Sequence, residues 1–151
     1  MNIGRLYRDG KLQFTARFPN KHQFLHVSAS NASNEIDSRS AIQPDGFFDG
    51  ADIRIRIPTG WKLGNVRKYT QGKFQLKYHL EVNTHAHIPL VSAFFLDNLY
   101  KFLDDDGEWF FDKLTKKVYI YSRTDPNRNL IEGVFRFVFL SIKFFSILKK
   151  S

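Results

Sequence analysis

Apolar and polar residues alternate along much of this chain. Ile53, Ile55 and Ile57 alternate with Arg54 and Arg56. Phe74, Leu76, Tyr78, Leu80 and Val82 alternate with Lys73, Gln75, Lys77, His79 and Glu81. A period of two places each set on one face of a strand, so both runs predict half-buried strands. Leu6 to Arg17 predicts a hairpin around Asp9-Gly10, because glycine adopts the positive φ of a tight hairpin turn at little cost. Pro19 ends that pairing, since it has no N–H to donate. Trp61, Leu63 and Val66 form a further short apolar set after the break at Pro58-Thr59-Gly60. Trp109 to Phe111 and Val118 to Tyr121 flank Asp112 to Lys117 and predict a second hairpin. Leu96, Leu99, Tyr100 and Leu103 have the i, i+3, i+4, i+7 spacing of an amphipathic helix of two turns, ended by Asp104 to Gly107. The Ser-rich stretch from Ser28 to Ser40 reads as a loop. Together these elements predict a mainly β fold, a small antiparallel sandwich or barrel-like domain with one short helix.

The 151 residues suit one domain, and 42% hydrophobic content supports a packed core. The absence of cysteine excludes disulfides, thiolate zinc sites and a cysteine nucleophile. No apolar run follows Arg5 and Arg8, so Met1 to Arg8 is not read as a signal peptide. The net charge of +8 is spread thinly, with +3 of it in the segment from Leu130 onward. A nucleic-acid groove needs charge focused on one face, so a basic nucleic-acid-binding β domain is only an alternative reading. Val134 to Leu148 is strongly apolar but interrupted by Arg136 and Lys143, and it is shorter than a spanning helix needs. Membrane contact is expected only if that 134–148 segment partitions into lipid.

Candidate chemistry is sparse. His85 and His87 project from the same side of an extended segment, with His79 upstream, yet no carboxylate stands at a supporting spacing. His22 and His26 are read the same way. Asp104, Asp105 and Asp106 are consecutive, so their side chains diverge instead of forming a calcium loop. No pair of carboxylates is picked out for glycoside chemistry, and there is no phosphate loop or nucleophile elbow. The expectation is no catalytic residue, no cofactor and no metal. Trp61, Tyr100, Tyr119 and Tyr121 remain as possible glycan contacts, because exposed aromatic rings stack on sugars; Trp109 is weighed with them, though strand aromatics are more often core.

Three stretches, taken in order, resemble one family. They are Leu6 to Lys11 followed by Ala16-Arg17-Phe18-Pro19-Asn20; Asp97-Asn98-Leu99 to Leu103-Asp104 followed by Gly107-Glu108-Trp109-Phe110-Phe111-Asp112; and Lys117 to Tyr121. The set is similar to the β-rich insertion domain of large right-handed parallel β-helix proteins of carbohydrate metabolism, especially those like glycoside hydrolase family 141. The resemblance implies a glycan-processing parent, of an exported family, acting on plant cell-wall polysaccharide such as pectin or xylan. It gives Gly10, Arg17, Pro19, Asn20, Gly107, Glu108 and Trp109 structural parts and leaves the catalytic carboxylates to a β-helix. Its implied partners are the β-helix domain of the parent chain and polysaccharide. Asp105 and Asp106 depart from the family pattern of a small residue and proline, and Ser122 stands where proline is frequent. The expected organisation is residues 1–129 as the insertion-type domain, a truncated fragment of a larger protein, and residues 130–151 as an apolar basic tail outside the resemblance.

Overall fold

The computed structural model describes residues 3–31, 34–78, 88–125, 129–135, 138–141 and 145–148. The fold is mainly β, with two sheets divided between two compact units. The first unit comprises residues 1–17 and 98–151, and the second residues 18–97.

The first unit holds β1 (Ile3–Arg8), β2 (Lys11–Thr15), β11 (Glu108–Asp112), β12 (Lys117–Tyr121), β13 (Ile131–Phe135), β14 (Val138–Ser141) and β15 (Phe145–Leu148). Their order in the sheet is β14-β13-β1-β2-β11-β12-β15. The predicted β1–β2 hairpin is present: Arg8 pairs with Lys11, and Asp9 and Gly10 turn at φ 50° and 72°. The turn is tied to β13, since the Asp9 carboxylate accepts the Leu130 N–H at 2.8 Å. The β11–β12 hairpin is also present, with Trp109 opposite Ile120 and Phe111 opposite Val118. Asp112 opens its loop by accepting bonds from the Leu114 N–H and the Thr115 hydroxyl. Leu6, Trp109, Phe111, Val118, Ile120 and Ile131 form the buried cluster of this sheet.

The second unit holds β3 (Arg17–Phe18, whose Phe18 starts this unit), β4 (Leu25–His26), β5 (Ala29–Asn31), β6 (Glu35–Asp37), β7 (Asp52–Ile57), β8 (Gly60–Thr70), β9 (Lys73–Tyr78) and β10 (Ala93–Asp97). The sheet order is β3-β10-β7-β8-β9-β6-β5, with β4 also on β10. Ile53 and Ile55 are fully buried while Arg54 and Arg56 are exposed, as the period of two predicts. Phe74 and Leu76 behave alike in β9; the predicted continuation from His79 to Val82 lies outside the described residues. The core is aromatic. Phe48 packs edge-on against Tyr69 at 4.7 Å, and Phe74 lies 4.8 Å from Tyr69 and 5.6 Å from Phe94. Such rings dominate a core because each buries a large apolar area.

Three local expectations change. The predicted helix at 96–103 is a strand followed by one 3-10 turn, Tyr100–Phe102. Leu96 ends β10 with Asp97, Asn98 turns left-handed at φ 66°, and Leu99 is extended. Helical spacing there spans a break: Leu96 and Leu103 are buried but Tyr100 is exposed, so the four positions do not share one face. The Ser28–Ser40 stretch carries the β5–β6 hairpin, with Ile36 fully buried as its anchor. Around β2, Leu12, Phe14 and Ala16 alternate with Gln13, Thr15 and Arg17 and predict an apolar inner face through Leu12 and Phe14, but Gln13 is buried and Leu12 is exposed.

Candidate functional site

The resemblance motif converges on Glu108. Gly107 turns at φ 88°, and its carbonyl accepts the Phe14 N–H at 2.9 Å. That bond starts the parallel pairing of β2 with β11. The Glu108 side chain is 3% exposed. One of its oxygens accepts the Arg17 N–H at 3.2 Å; the other accepts the N–H groups of Asp104 and Asp105 at 3.2 and 3.3 Å. Burial pushes its carboxyl up to about 7, although these three donors and the nearby charges act on it as well. Glu108 therefore closes the loop before β11 onto Arg17, the first residue of β3. Trp109 is 5% exposed and sits in the core cluster, so it is not a ring open to a sugar.

The remaining motif positions lie along the chain as follows. Gly10 makes the first turn. Pro19 follows β3 through a cis Phe18–Pro19 bond, and the Asn20 carbonyl accepts the Gln23 N–H. The three departures from the family pattern join one network. Arg8 donates two bonds to Asp106, at 3.0 and 3.2 Å, and one to the Ser122 hydroxyl at 3.0 Å. Arg123 pairs with Asp105 at 3.0 Å, and its N–H reaches Asp106. The Arg8 hydrogen bonds hold the Asp106 carboxyl below its usual range. The acidic run is thus an arginine-paired turn, and no group of three metal-ligating side chains exists among the described residues.

The aromatic candidates fall in different units. Tyr100 is 44% exposed and packs edge-on at 5.1 Å from Tyr119 and 5.7 Å from Phe110. Phe110 and Tyr119 are cross-strand partners on the face of β11–β12 opposite the core, and Tyr121 follows on that face. Phe110 escaped the sequence reading because its neighbours Trp109 and Phe111 are core, and only the register of β11 separates the three. Trp61, in the second unit, is 49% exposed and lies 5.8 Å from Phe95. Arg54 lies over the Phe95 ring, 6.0 Å from its centre, and pairs with Asp97 at 2.8 Å. His22 and His26 are exposed; His79, His85 and His87 lie outside the described residues.

Residues 80–123 match the model of the GH141 insertion domain. Over these residues the chain is similar to the GH141 insertion domain. The match spans Glu108, Trp109 and the Tyr100, Phe110 and Tyr119 group. A solved structure of a glycoside hydrolase is similar to 78% of this chain at a TM-score of 0.59 and 17% identity. The alignment takes in 23% of that protein, so the chain spans about a quarter of its length, and the likeness shows a shared fold. No curated protein matches the sequence. The likeness is thus to the insertion domain of a glycoside hydrolase family, and the first unit holds the described matched residues from Asn98 onward.

Proposed function

We propose that this chain is an accessory β domain of a β-helix glycan-processing protein, without a complete active site of its own. The observation that carries this reading is the employment of five carboxylates in the matched segment. Asp97 pairs with Arg54, Asp105 with Arg123, Asp106 with Arg8, Asp112 caps its loop, and Glu108 serves three backbone N–H groups. Acid–base cleavage of a glycoside needs two carboxyls facing a sugar, one of them free to move a proton. Here five acids are committed to the fold. In the parent, the domain packs on the β-helix and shapes one wall of the glycan cleft, and the helix supplies the acids. The purified chain incubated with pectin and xylan should release no reducing sugar above buffer. Release that disappears on replacing one carboxylate would overturn the reading.

A stand-alone glycan-binding module is the second reading, favoured by the outward Tyr100, Phe110 and Tyr119 group and by Trp61. Sugar rings stack on such faces. Under this reading Tyr119→Ala or Trp61→Ala abolishes polysaccharide binding measured by calorimetry. Under the accessory reading the isolated chain binds no polysaccharide through these rings.

A further inference from the structure

The second unit contains a cleft that neither the motif residues nor the aromatic groups use. It has two lobes, of about 330 and 160 Å³, which share Ser38, Arg39, Gln71 and Gly72 in their walls. Tyr69 and Ala41 complete the larger lobe, and Asp37 and Lys73 the smaller. Pockets for small ligands start at about 300 Å³, so the space suits one sugar ring and not a chain of them.

The floor is fixed before any ligand arrives. Ser38 and Tyr69 are 2% and 1% exposed. The Tyr69 hydroxyl donates to the Ala41 carbonyl and accepts the Gln43 N–H. The Ser38 N–H donates to the Gly72 carbonyl at 2.8 Å, which joins the end of β6 to the β8–β9 turn. That approach requires glycine: φ is +83° at Gly72, and a Cβ there would lie 2.9 Å from the Ser38 carbonyl oxygen. Asp45 and Asp49 hold the same turn by accepting the Gln71 and Tyr69 N–H groups.

The walls are different. Arg39, Gln71 and Lys73 are exposed, and their side chains have no hydrogen-bond or ion-pair partner among the described residues. Two cations and an amide thus open onto the cleft against the single carboxylate of Asp37. Ile42, 84% exposed, adds an apolar patch to the rim of the larger lobe. A guanidinium recognises a planar or tetrahedral anion with two donors, a carboxylate accepts from sugar hydroxyls, and an aliphatic patch takes the C–H face of a pyranose.

We propose that this cleft is a binding subsite for one acidic sugar unit, a pyranose bearing a carboxylate or a sulfate. Arg39 and Lys73 take the anionic group, Gln71 and Asp37 the hydroxyls, and Ile42 the ring face. The choice of a sugar among anions rests on the glycan-processing reading above; the anion preference rests on the cleft alone.

The test is a titration of the full, isotope-labelled chain followed by amide NMR shifts. The arms are a galacturonate trimer, a sulfated galactose, neutral xylose and inorganic sulfate. Saturable shifts confined to residues 37–43 and 69–73 are expected with an acidic sugar, and none with xylose. Whichever acidic arm binds tighter identifies the anion. Arg39→Ala should weaken that binding about tenfold, the loss of one charge-assisted contact, with an unchanged melting curve because Arg39 is exposed. No saturable shift with either acidic sugar overturns the proposal, as does binding indifferent to Arg39→Ala. Equal binding of inorganic sulfate reduces the cleft to a plain anion site and overturns the sugar assignment. None of these failures touches the accessory-domain reading, whose test is hydrolysis and whose residues lie elsewhere.

Discussion

Glu108 shows how a single carboxylate can look catalytic and be structural. It is buried and its carboxyl lies near 7, the range of a general acid. Its two oxygens nevertheless accept from three backbone N–H groups, which bind them into the fold. Two consequences can be measured. Because the folded pKa lies above the ordinary value of 4.5, the folded chain holds a proton more tightly than the unfolded one. Glu108 therefore lowers stability as pH rises from about 4.5 to 7, and its effect is constant beyond both ends of that window. In Glu108→Gln an NH2 group replaces one acceptor oxygen and meets N–H donors. That substitution should cost about 1–3 kcal/mol at pH 5 in denaturant unfolding. The gap to the wild type should narrow toward pH 8, because only the wild type carries the penalty of ionisation. A gap that widens with pH would show a depressed carboxyl instead. Asp106, held low by Arg8, acts in the opposite sense: its contribution is present above about pH 4 and fades as pH falls through its lowered value.

At the scale of elements, alternation predicted β7, β9 and both hairpins because each strand has one face on a core and one on water. Ile55→Ala should accordingly cost about 2–5 kcal/mol in urea unfolding, since the methyl groups removed leave a hole between fully buried neighbours. The same logic misreads β2. Its apolar residue Leu12 is 46% exposed, while Gln13 is 7% exposed and leaves its Oε1 without a partner. The register with β1 sets this facing: Gln13 lies opposite the fully buried Leu6, and Leu12 opposite Tyr7. Leu12→Ser should therefore cost under about 1 kcal/mol, and Gln13→Met should be neutral or stabilising, because it removes an unsatisfied buried acceptor. Large losses from Leu12→Ser would mean that β2 is rotated. The helix expected at 96–103 fails for a related reason. Spacing along a sequence cannot register the left-handed Asn98, which splits the run into a strand end and a single 3-10 turn. The candidate aromatic site was half legible. Exposed Tyr100 and Trp61 stood out by type, but Phe110 needed the pairing with Tyr119 to be told from its buried neighbours. The cleft between β6 and the β8–β9 turn had no sequence signal. Arg39 is far along the chain from Gln71 and Gly72, and they meet through the β6–β9 pairing and the Ser38–Gly72 bond.

Across the whole molecule the question is what the charge of +8 does. Three acids of the matched segment, Asp97, Asp105 and Asp106, pair with particular arginines, Arg54, Arg123 and Arg8, and that pairing is local to each unit. Asp105, Asp106 and Ser122 fit this picture, because each serves Arg8 or Arg123. The cations left over are dispersed, and Arg39 and Lys73 stand together only at the cleft. A dispersed positive charge attracts any polyanion weakly and without direction, and salt screens that attraction over about 8 Å at physiological ionic strength. A site built from two cations and hydrogen-bonding groups in a fixed cleft retains a salt-resistant part. The two behaviours separate on affinity columns. Retention on duplex DNA should vanish by about 0.2 M salt, since few phosphates are contacted at once. Retention on an immobilised acidic polysaccharide should fall over the same range but keep a remainder that Arg39→Ala removes. If DNA retention instead persists at about 0.2 M salt, with a log–log salt slope counting about six or more phosphates, the charge is focused on a groove and the nucleic-acid reading replaces the glycan one.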